Sequence, residues 1–296
     1  MTLAFGKAIL AGEHAVVYGH PAVAVALDRG IKCVAERTSA EASSLFVADW
    51  GLQASSADET PLGRAIATIQ KEITDGVGLS YRVTAEIPPG AGLGSSAALS
   101  VALIRAASVT MSKALGTVEI VDWANRLEEE FHDRPSGIDV ALSSRGGALL
   151  FQPGHTNENL DASWLKLVVA DTGEPRSTKD MIAKVSAQLP VAERALVQMG
   201  AAARDVGKAL ARKEHDLLAD SMNSCQQLLD GLGLVTPGLD KLCTLAKKSG
   251  AMAAKMTGGG GGGAIIAFAP GREDEVCNVL DKEAKSAFVC AVARPV

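Results

Sequence analysis

Apolar residues along the chain change their period several times, and those changes outline its elements. Leu3 to Leu10 and Ala22 to Leu27 are nearly continuous apolar runs of strand length, parted by the polar, glycine-bearing stretch Gly12 to His20. Ile31 to Arg37 reads as a further strand. Thr38 to Glu59 carries little periodicity and suits a short hairpin that turns at Trp50-Gly51. Pro61 to Ile73 places proline at a helix start and Leu62, Ala65, Ile66 and Ile69 at helical spacing. Tyr81 to Ile87 alternates as a strand should.

Pro88 and Pro89 then lead into Gly90-Ala91-Gly92-Leu93-Gly94-Ser95-Ser96, and an alanine-rich helix is expected from Ala97 to Met111. Val118 to Phe131 predicts the next helix, stopped by Pro135. Ser136-Gly137-Ile138-Asp139 opens a short one, and Ala148 to Phe151 returns as a strand. The polar stretch Gln152 to Ser163 holds Pro153-Gly154 and reads as a loop between domains, which divides the chain into 1–162 and 163–296. Leu165 to Ala170 is a strand. A helical block runs from Lys179 to Ser249, broken near Pro190, Lys213 and Thr236-Pro237. Ala251 to Met256 and Ala264 to Phe268 are strands on either side of an all-glycine turn, and a helix (Glu273 to Ala284) and a strand (Ala287 to Val292) follow. Helices and strands mix without strict βα alternation, so the expected class is α+β with two domains.

Composition narrows the function. A hydrophobic fraction of 47% with 21% charged residues is that of a compact globular chain. The net charge of −5 argues against nucleic acid as the main partner, because a phosphate backbone demands a basic face. It leaves room for a small anionic ligand, which needs only a few local cations and amides. The five cysteines are scattered and never form a C-x-x-C pair, which suits a reducing compartment and gives no thiolate metal site. The N-terminus lacks a basic and then apolar leader, and no apolar run reaches the ~20 residues of a bilayer span. A cytoplasmic location is therefore expected.

Candidate chemistry sits in five places. Gly90, Gly92 and Gly94 let the backbone approach a ligand, and the helix that follows offers N–H groups suited to phosphate. Its spacing is not that of a Walker A loop. Gly258 to Gly263 put six glycines in a row between apolar strands, where a bare backbone marks close approach rather than a linker. Glu128 and Asp139 lie eleven positions apart across a helix break and can serve one cleft, one holding a metal and the other orienting an alcohol; a solvated acidic face and a helix cap are the plain alternatives. Lys7 stands among apolar neighbours and is costly to bury without a partner, which Asp139 would supply; an edge-strand lysine with its head in solvent is the plain alternative. His14, after Glu13, is open to a ligand-binding or a purely structural role. His20, His132, His155 and His215 show no metal spacing.

Together these segments resemble the superfamily of galactokinase, homoserine kinase, mevalonate kinase and phosphomevalonate kinase, the GHMP kinases. The run from Gly6 to Gly19 is similar to the N-terminal motif of its mevalonate kinase branch, Pro88 to Ala98 to its phosphate loop, and Lys255 to Gly263 to its C-terminal glycine motif. Pro135 to Asp139 resembles the catalytic aspartate segment, and Asp171 to Lys179 a stretch lining the substrate pocket. Phe5, Gly259 and Ala264 depart from the residues usual at those positions, proline, alanine and cysteine.

The resemblance implies an ATP- and Mg2+-dependent kinase making 5-phosphomevalonate, an isoprenoid precursor. It implies an N-terminal ribosomal-protein-S5-like domain and a C-terminal ferredoxin-like domain with the active site in the cleft between them. Asp139 would be the catalytic base and Lys7 would lower its pKa and that of the substrate hydroxyl. Ser96 and Glu128 would hold Mg2+. Pro89, Gly90, Ala91, Gly92, Leu93, Gly94, Ser95 and Ser96 would cradle ATP, and Glu13, His14, Thr178 and Gly259 would meet mevalonate. ATP and mevalonate are then the partners, without nucleic acid or membrane, and a homodimer is left open. A phosphomevalonate-type substrate would call for a further Lys or Arg cluster, which the sequence does not display. A non-catalytic scaffold would not be expected to keep Lys7, Ser96, Glu128 and Asp139 together.

Overall fold

The structure is a computed structural model describing residues 2–131 and 137–296. Pro135 and Ser136, expected to stop one helix and open the next, lie outside the described residues, as does His132. In chain order the strands are β1 (Thr2–Ala11), β2 (Ala22–Arg37), β3 (Ser44–Val47), β4 (Leu52–Ser55), β5 (Leu79–Ala85), β6 (Ala148–Phe151), β7 (Glu158–Leu160), β8 (Lys166–Asp171), β9 (Ala253–Met256), β10 (Ala264–Phe268) and β11 (Ser286–Ala291). The helices are α1 (Pro61–Glu72), α2 (Ser95–Thr110), α3 (Thr117–Glu128), α4 (Ile138–Arg145), α5 (Thr178–Ser186), α6 (Glu193–Arg212), α7 (His215–Gly231), α8 (Pro237–Lys248) and α9 (Glu273–Leu280). Short 3-10 turns cover His14–Tyr18 and Ala48–Trp50.

The chain forms two compact units that are interleaved along the sequence rather than consecutive. One comprises Met1–Gly6, Arg29–Pro89 and Gly94–Arg145; the other comprises Lys7–Asp28, Gly90–Leu93 and Gly146–Val296. In the first unit β3 and β4 form the expected hairpin, turning where Gly51 takes a φ of 59°. β3 pairs parallel with β5, which pairs antiparallel with the second half of β2. The helix α1 starts where the Thr60 hydroxyl accepts from the Gly63 N–H with Pro61 at the first helical position, and it buries Ala65, Ile66 and Ile69. Against it, α2 is apolar nearly all round and buried from Ala97 to Leu103, the pattern of a central helix. Both α3 and α4 pack on α2.

In the second unit the first half of β2 pairs with β6, and β6 with β7. A separate four-stranded antiparallel sheet runs β11-β8-β10-β9. Numbered within that unit's own split βαβ pattern its order is the ferredoxin-like one, with α7 and α8 against β9 and α9 against β8 and β11. At the start of α8, Thr236 caps and Pro237 takes the first position, repeating the signal of α1.

Several expected boundaries shift. The runs Ala22 to Leu27 and Ile31 to Arg37 belong to one sixteen-residue strand, because the polar break at Asp28-Arg29-Gly30 is still extended. Gly30 is there for space: a Cβ would lie 1.9 Å from the Ala4 carbonyl oxygen. The strand read as Tyr81 to Ile87 is Leu79–Ala85. α3 ends at Glu128 rather than Phe131, and α9 at Leu280 rather than Ala284, each giving way to a turn. The stretch 152–163, expected to be all loop, contains β7. No helix among the described residues is long and apolar enough to cross a membrane.

Candidate active site

The glycine loop is fixed through its carbonyl groups. Within the second unit, Arg176 Nε donates to the Gly90 oxygen at 2.6 Å, the Ala264 N–H to Ala91 at 2.9 Å, Lys7 Nζ to Gly92 at 3.2 Å and the Lys7 N–H to Leu93 at 2.9 Å. Four consecutive carbonyls are thus tied to protein donors, so the acceptor side of this loop is committed. A loop held this way and rich in positive φ (Gly90 at 68°, Gly92 at 89°) has the geometry of anion-binding backbone. Lys7 is buried, at 4% exposure, and its ammonium and amide both serve the loop.

The second glycine cluster packs backbone to backbone on the first. A Cβ on Gly92 would lie 2.7 Å from the Thr257 oxygen, and one on Gly263 would lie 2.7 Å from the Ala91 oxygen. Gly258, Gly260, Gly261, Gly262 and Gly263 all hold positive φ. Gly259 does not, and its hypothetical Cβ would press on the Thr178 side chain at 3.1 Å, which relates two residues expected to face the substrate. Beside this turn the His14 Nε2–H donates to the Gly259 carbonyl at 2.8 Å. Because a carbonyl can only accept, that nitrogen carries the proton and Nδ1 is left as an acceptor; it has no partner among the described residues. Burial is the main cause of a pKa below the ordinary histidine value, so the ring is neutral.

Glu13, expected to meet substrate, gives one carboxylate oxygen to Lys255 in a fully buried ion pair. Lys255 was not singled out in the sequence, although a lysine within an apolar strand is the same signal that marks Lys7. Arg176 and its hold on Gly90 were also not assigned.

In the first unit, Gly94 is the N-cap of α2, at a φ of 70° and with no side-chain cap. At the second position of the helix, Ser96 Oγ donates to Glu128 Oε2 at 2.9 Å, and Ser100 Oγ donates to Oε1 at 3.2 Å. Glu128 is 3% exposed at the end of α3, so the solvated-face reading does not hold. Ser100 escaped the sequence reading, though its i+4 spacing from Ser96 puts both hydroxyls on one helical face. Asp139 is partly buried in the first turn of α4. The helices carrying Ser96, Glu128 and Asp139 pack on one another, whereas Lys7 belongs to the second unit. No cluster of three or more His, Cys, Asp or Glu residues suited to a metal occurs among the described residues. The Ser96 hydroxyl and Glu128 carboxylate, in direct contact, are nonetheless the hard oxygen pair that a small divalent cation shared with phosphate takes.

Comparison with known proteins agrees with this layout. Residues 51–147 match the model of the GHMP kinases N terminal domain, and residues 208–286 that of the GHMP kinases C terminal. The chain is 34% identical to the mevalonate kinase of Methanothermobacter thermautotrophicus over 95% of this chain and 93% of the relative. It is 35% identical to that of Thermococcus sibiricus over 97% and 94%. The crystal structure of L. major mevalonate kinase in complex with R-mevalonate superposes with a TM-score of 0.87 over 99% of this chain and 95% of the other, at 24% identity, a likeness of fold.

Proposed function

Because this chain belongs to the GHMP kinases, and within them to the mevalonate kinase family, we propose that it transfers the γ-phosphoryl group of ATP to the 5-hydroxyl of mevalonate. The observation that carries the reading is the loop Gly90–Leu93, whose four carbonyls are bound to Lys7, Ala264 and Arg176. Phosphoryl transfer asks a protein for positioning and charge stabilisation more than for covalent chemistry. A loop whose acceptors are all committed supplies both, because the dipoles are set before the nucleotide arrives.

In this reading the residues from Pro89 to Ser96 bind the triphosphate, with the N-terminal amides of α2 contributing partial positive charge. Ser96 and Glu128 would hold Mg2+, which when bound would neutralise phosphate charge. Asp139 accepts the proton of the mevalonate hydroxyl as that oxygen forms a bond to γ-phosphorus and the bond to the ADP oxygen breaks. Lys7 lowers the pKa of the hydroxyl and stabilises charge on the phosphoryl group. His14, held as its Nε2–H tautomer, offers Nδ1 to a donor on the substrate, and Thr178, Glu13 and Gly259 complete that wall. The family models at 51–147 and 208–286 fall on either side of residue 162, which supports 1–162 and 163–296 as the family's two domains although the compact units interleave across that point, and the enzyme works in the cytoplasm.

ADP release measured with mevalonate, phosphomevalonate, galactose and homoserine in turn tests this. Turnover is expected with mevalonate. Nucleotide binding without turnover of any alcohol would overturn the proposal in favour of a non-catalytic scaffold, and turnover of another alcohol alone would overturn the substrate.

A further inference from the structure

Lys255 is among the largest fully buried side chains of the protein, at 0% exposure on β9. Its ammonium has three protons and three acceptors: a carboxylate oxygen of Glu13, the Met256 carbonyl at 2.6 Å and the Ile9 carbonyl at 3.3 Å. These acceptors come from different segments, namely the end of β1, the turn after it and β9 itself. Cys225 of α7 lies beside the pair, its thiol pushed up to about 12 by burial and therefore neutral. Next to it, Gln226 Oε1 accepts from the Met256 N–H at 2.9 Å.

As a source of stability this is an inefficient arrangement. Burying both charges costs several kcal/mol, and an apolar pair of like volume commonly serves a fold as well or better. Moreover, Glu13 Oε2 is buried with no hydrogen-bond partner among the described residues, so the carboxylate is not fully satisfied. What the pair does achieve is location. Glu13 immediately precedes His14, and Met256 lies three positions before Gly259, the carbonyl that holds the His14 ring. One ammonium thus fixes both sides of the His14–Gly259 contact. A parallel stitch, the Ile9 N–H to Thr257 Oγ1 at 2.8 Å, aligns the same two segments.

We propose that Lys255 is a positioning residue for the substrate wall: acting through Glu13 and the Met256 carbonyl, it sets the register between His14 and Gly259 and so fixes the tautomer of the His14 ring. The inference rests on the mevalonate kinase reading only for its kinetic arm. Its first test is independent of any substrate. Nitrogen NMR of the histidine rings of the full chain should show His14 as a neutral Nε2–H tautomer in the native protein. In Lys255→Met the His14 signal should move toward the tautomer-averaged position, while those of His155 and His215 stay in place. An unmoved His14 signal in a folded Lys255→Met protein overturns the proposal.

The second test is steady-state kinetics. Lys255→Met should raise KM for mevalonate by about tenfold to a hundredfold, the scale of a displaced binding group, with KM for ATP changed less than about twofold. His14→Ala introduced into Lys255→Met should add no further rise, because the ring is already out of place. Equal rises for both substrates, or additive effects of the two substitutions, would mean that Lys255 merely supports the fold. Should Lys255→Met fail to fold, Lys255→Gln keeps a donor on a shorter, neutral side chain and is read by the same criteria. Failure of the functional reading is visible separately, as absence of mevalonate turnover by the native protein.

Discussion

The glycine loop offers a perturbation whose size can be worked from geometry. Alanine at residue 92 must keep a φ of 89°, and a left-handed alanine costs about 1–2 kcal/mol. Its Cβ would also stand 2.7 Å from the Thr257 carbonyl oxygen, a backbone atom that cannot rotate away. Relieving that overlap requires one segment to shift, and overpacking of this kind adds about 1–3 kcal/mol. Gly92→Ala should therefore cost about 2–5 kcal/mol in all. Gly90, only two residues earlier, has a φ of 68°, but nothing lies within 4 Å of its hypothetical Cβ. Gly90→Ala keeps only the conformational share, about 1–2 kcal/mol. Urea titrations of the two variants, compared at equal m-values, measure the difference directly. The Gly92 carbonyl also accepts from Lys7 Nζ, so the larger shift should carry a loss of kcat beyond any loss of folded protein. Equal midpoints for the two variants would refute the claim that the loop is seated against the second glycine cluster.

Other outcomes follow from the same site. Asp139→Asn should lower kcat by about a hundredfold to ten-thousandfold with ATP affinity, measured by calorimetry, nearly intact; near-native kcat would remove Asp139 as the base. Glu128→Gln should raise the Mg2+ concentration needed for half-maximal activity by about tenfold or more, and an unchanged titration would take Glu128 out of the metal shell. His14 has a folded pKa below its unfolded value, so the unfolded chain takes up its proton first as pH falls. Its stabilising share is complete above a pH of about 6.5 and is lost progressively below it. Tm should therefore fall less steeply in His14→Gln than in the native chain between pH of about 7.5 and 5.5, and parallel curves would contradict this.

Much of the site was legible because its signals are local. A lysine amid apolar residues has to find an acceptor: the one expected for Lys7 was Asp139, and the Gly92 carbonyl is one that it meets. Glycine at alternate positions before an apolar helix signals a backbone that must bend and be approached, which is what residues 90 to 94 do. Proline at the start of α1 announced that helix, and Thr236-Pro237 marked the break at which α8 begins. What escaped depends on distant partners. The extended backbone at Asp28-Arg29-Gly30 follows from β2 continuing past β1, so polar side chains there do not mark a loop. Lys255 and Glu13 are 242 positions apart, and nothing near either residue announces the other. Two units woven from five shorter segments and one long one cannot be read from a composition shift, which sees only neighbours in sequence.

Six glycines in succession invite a reading as slack, and the packing around them argues the reverse. A Cβ on Gly260 would meet the Leu234 oxygen at 2.6 Å, one on Gly262 the Glu174 oxygen at 2.9 Å and one on Gly263 the Ala91 oxygen at 2.7 Å. Each obstacle is a main-chain carbonyl from a different part of the fold. The Leu234 oxygen accepts from the Gly261 N–H, and the Ala91 oxygen from the Ala264 N–H, so those atoms approach closely because they are bonded there. A linker has few such neighbours and tolerates serine freely. Here the missing side chains are the space that other backbone occupies, and the buried strands on either side keep the turn from moving to make room. The cluster is therefore a rigid seat for the first glycine loop, and the freedom that glycine has in an unfolded chain is spent in reaching that one conformation.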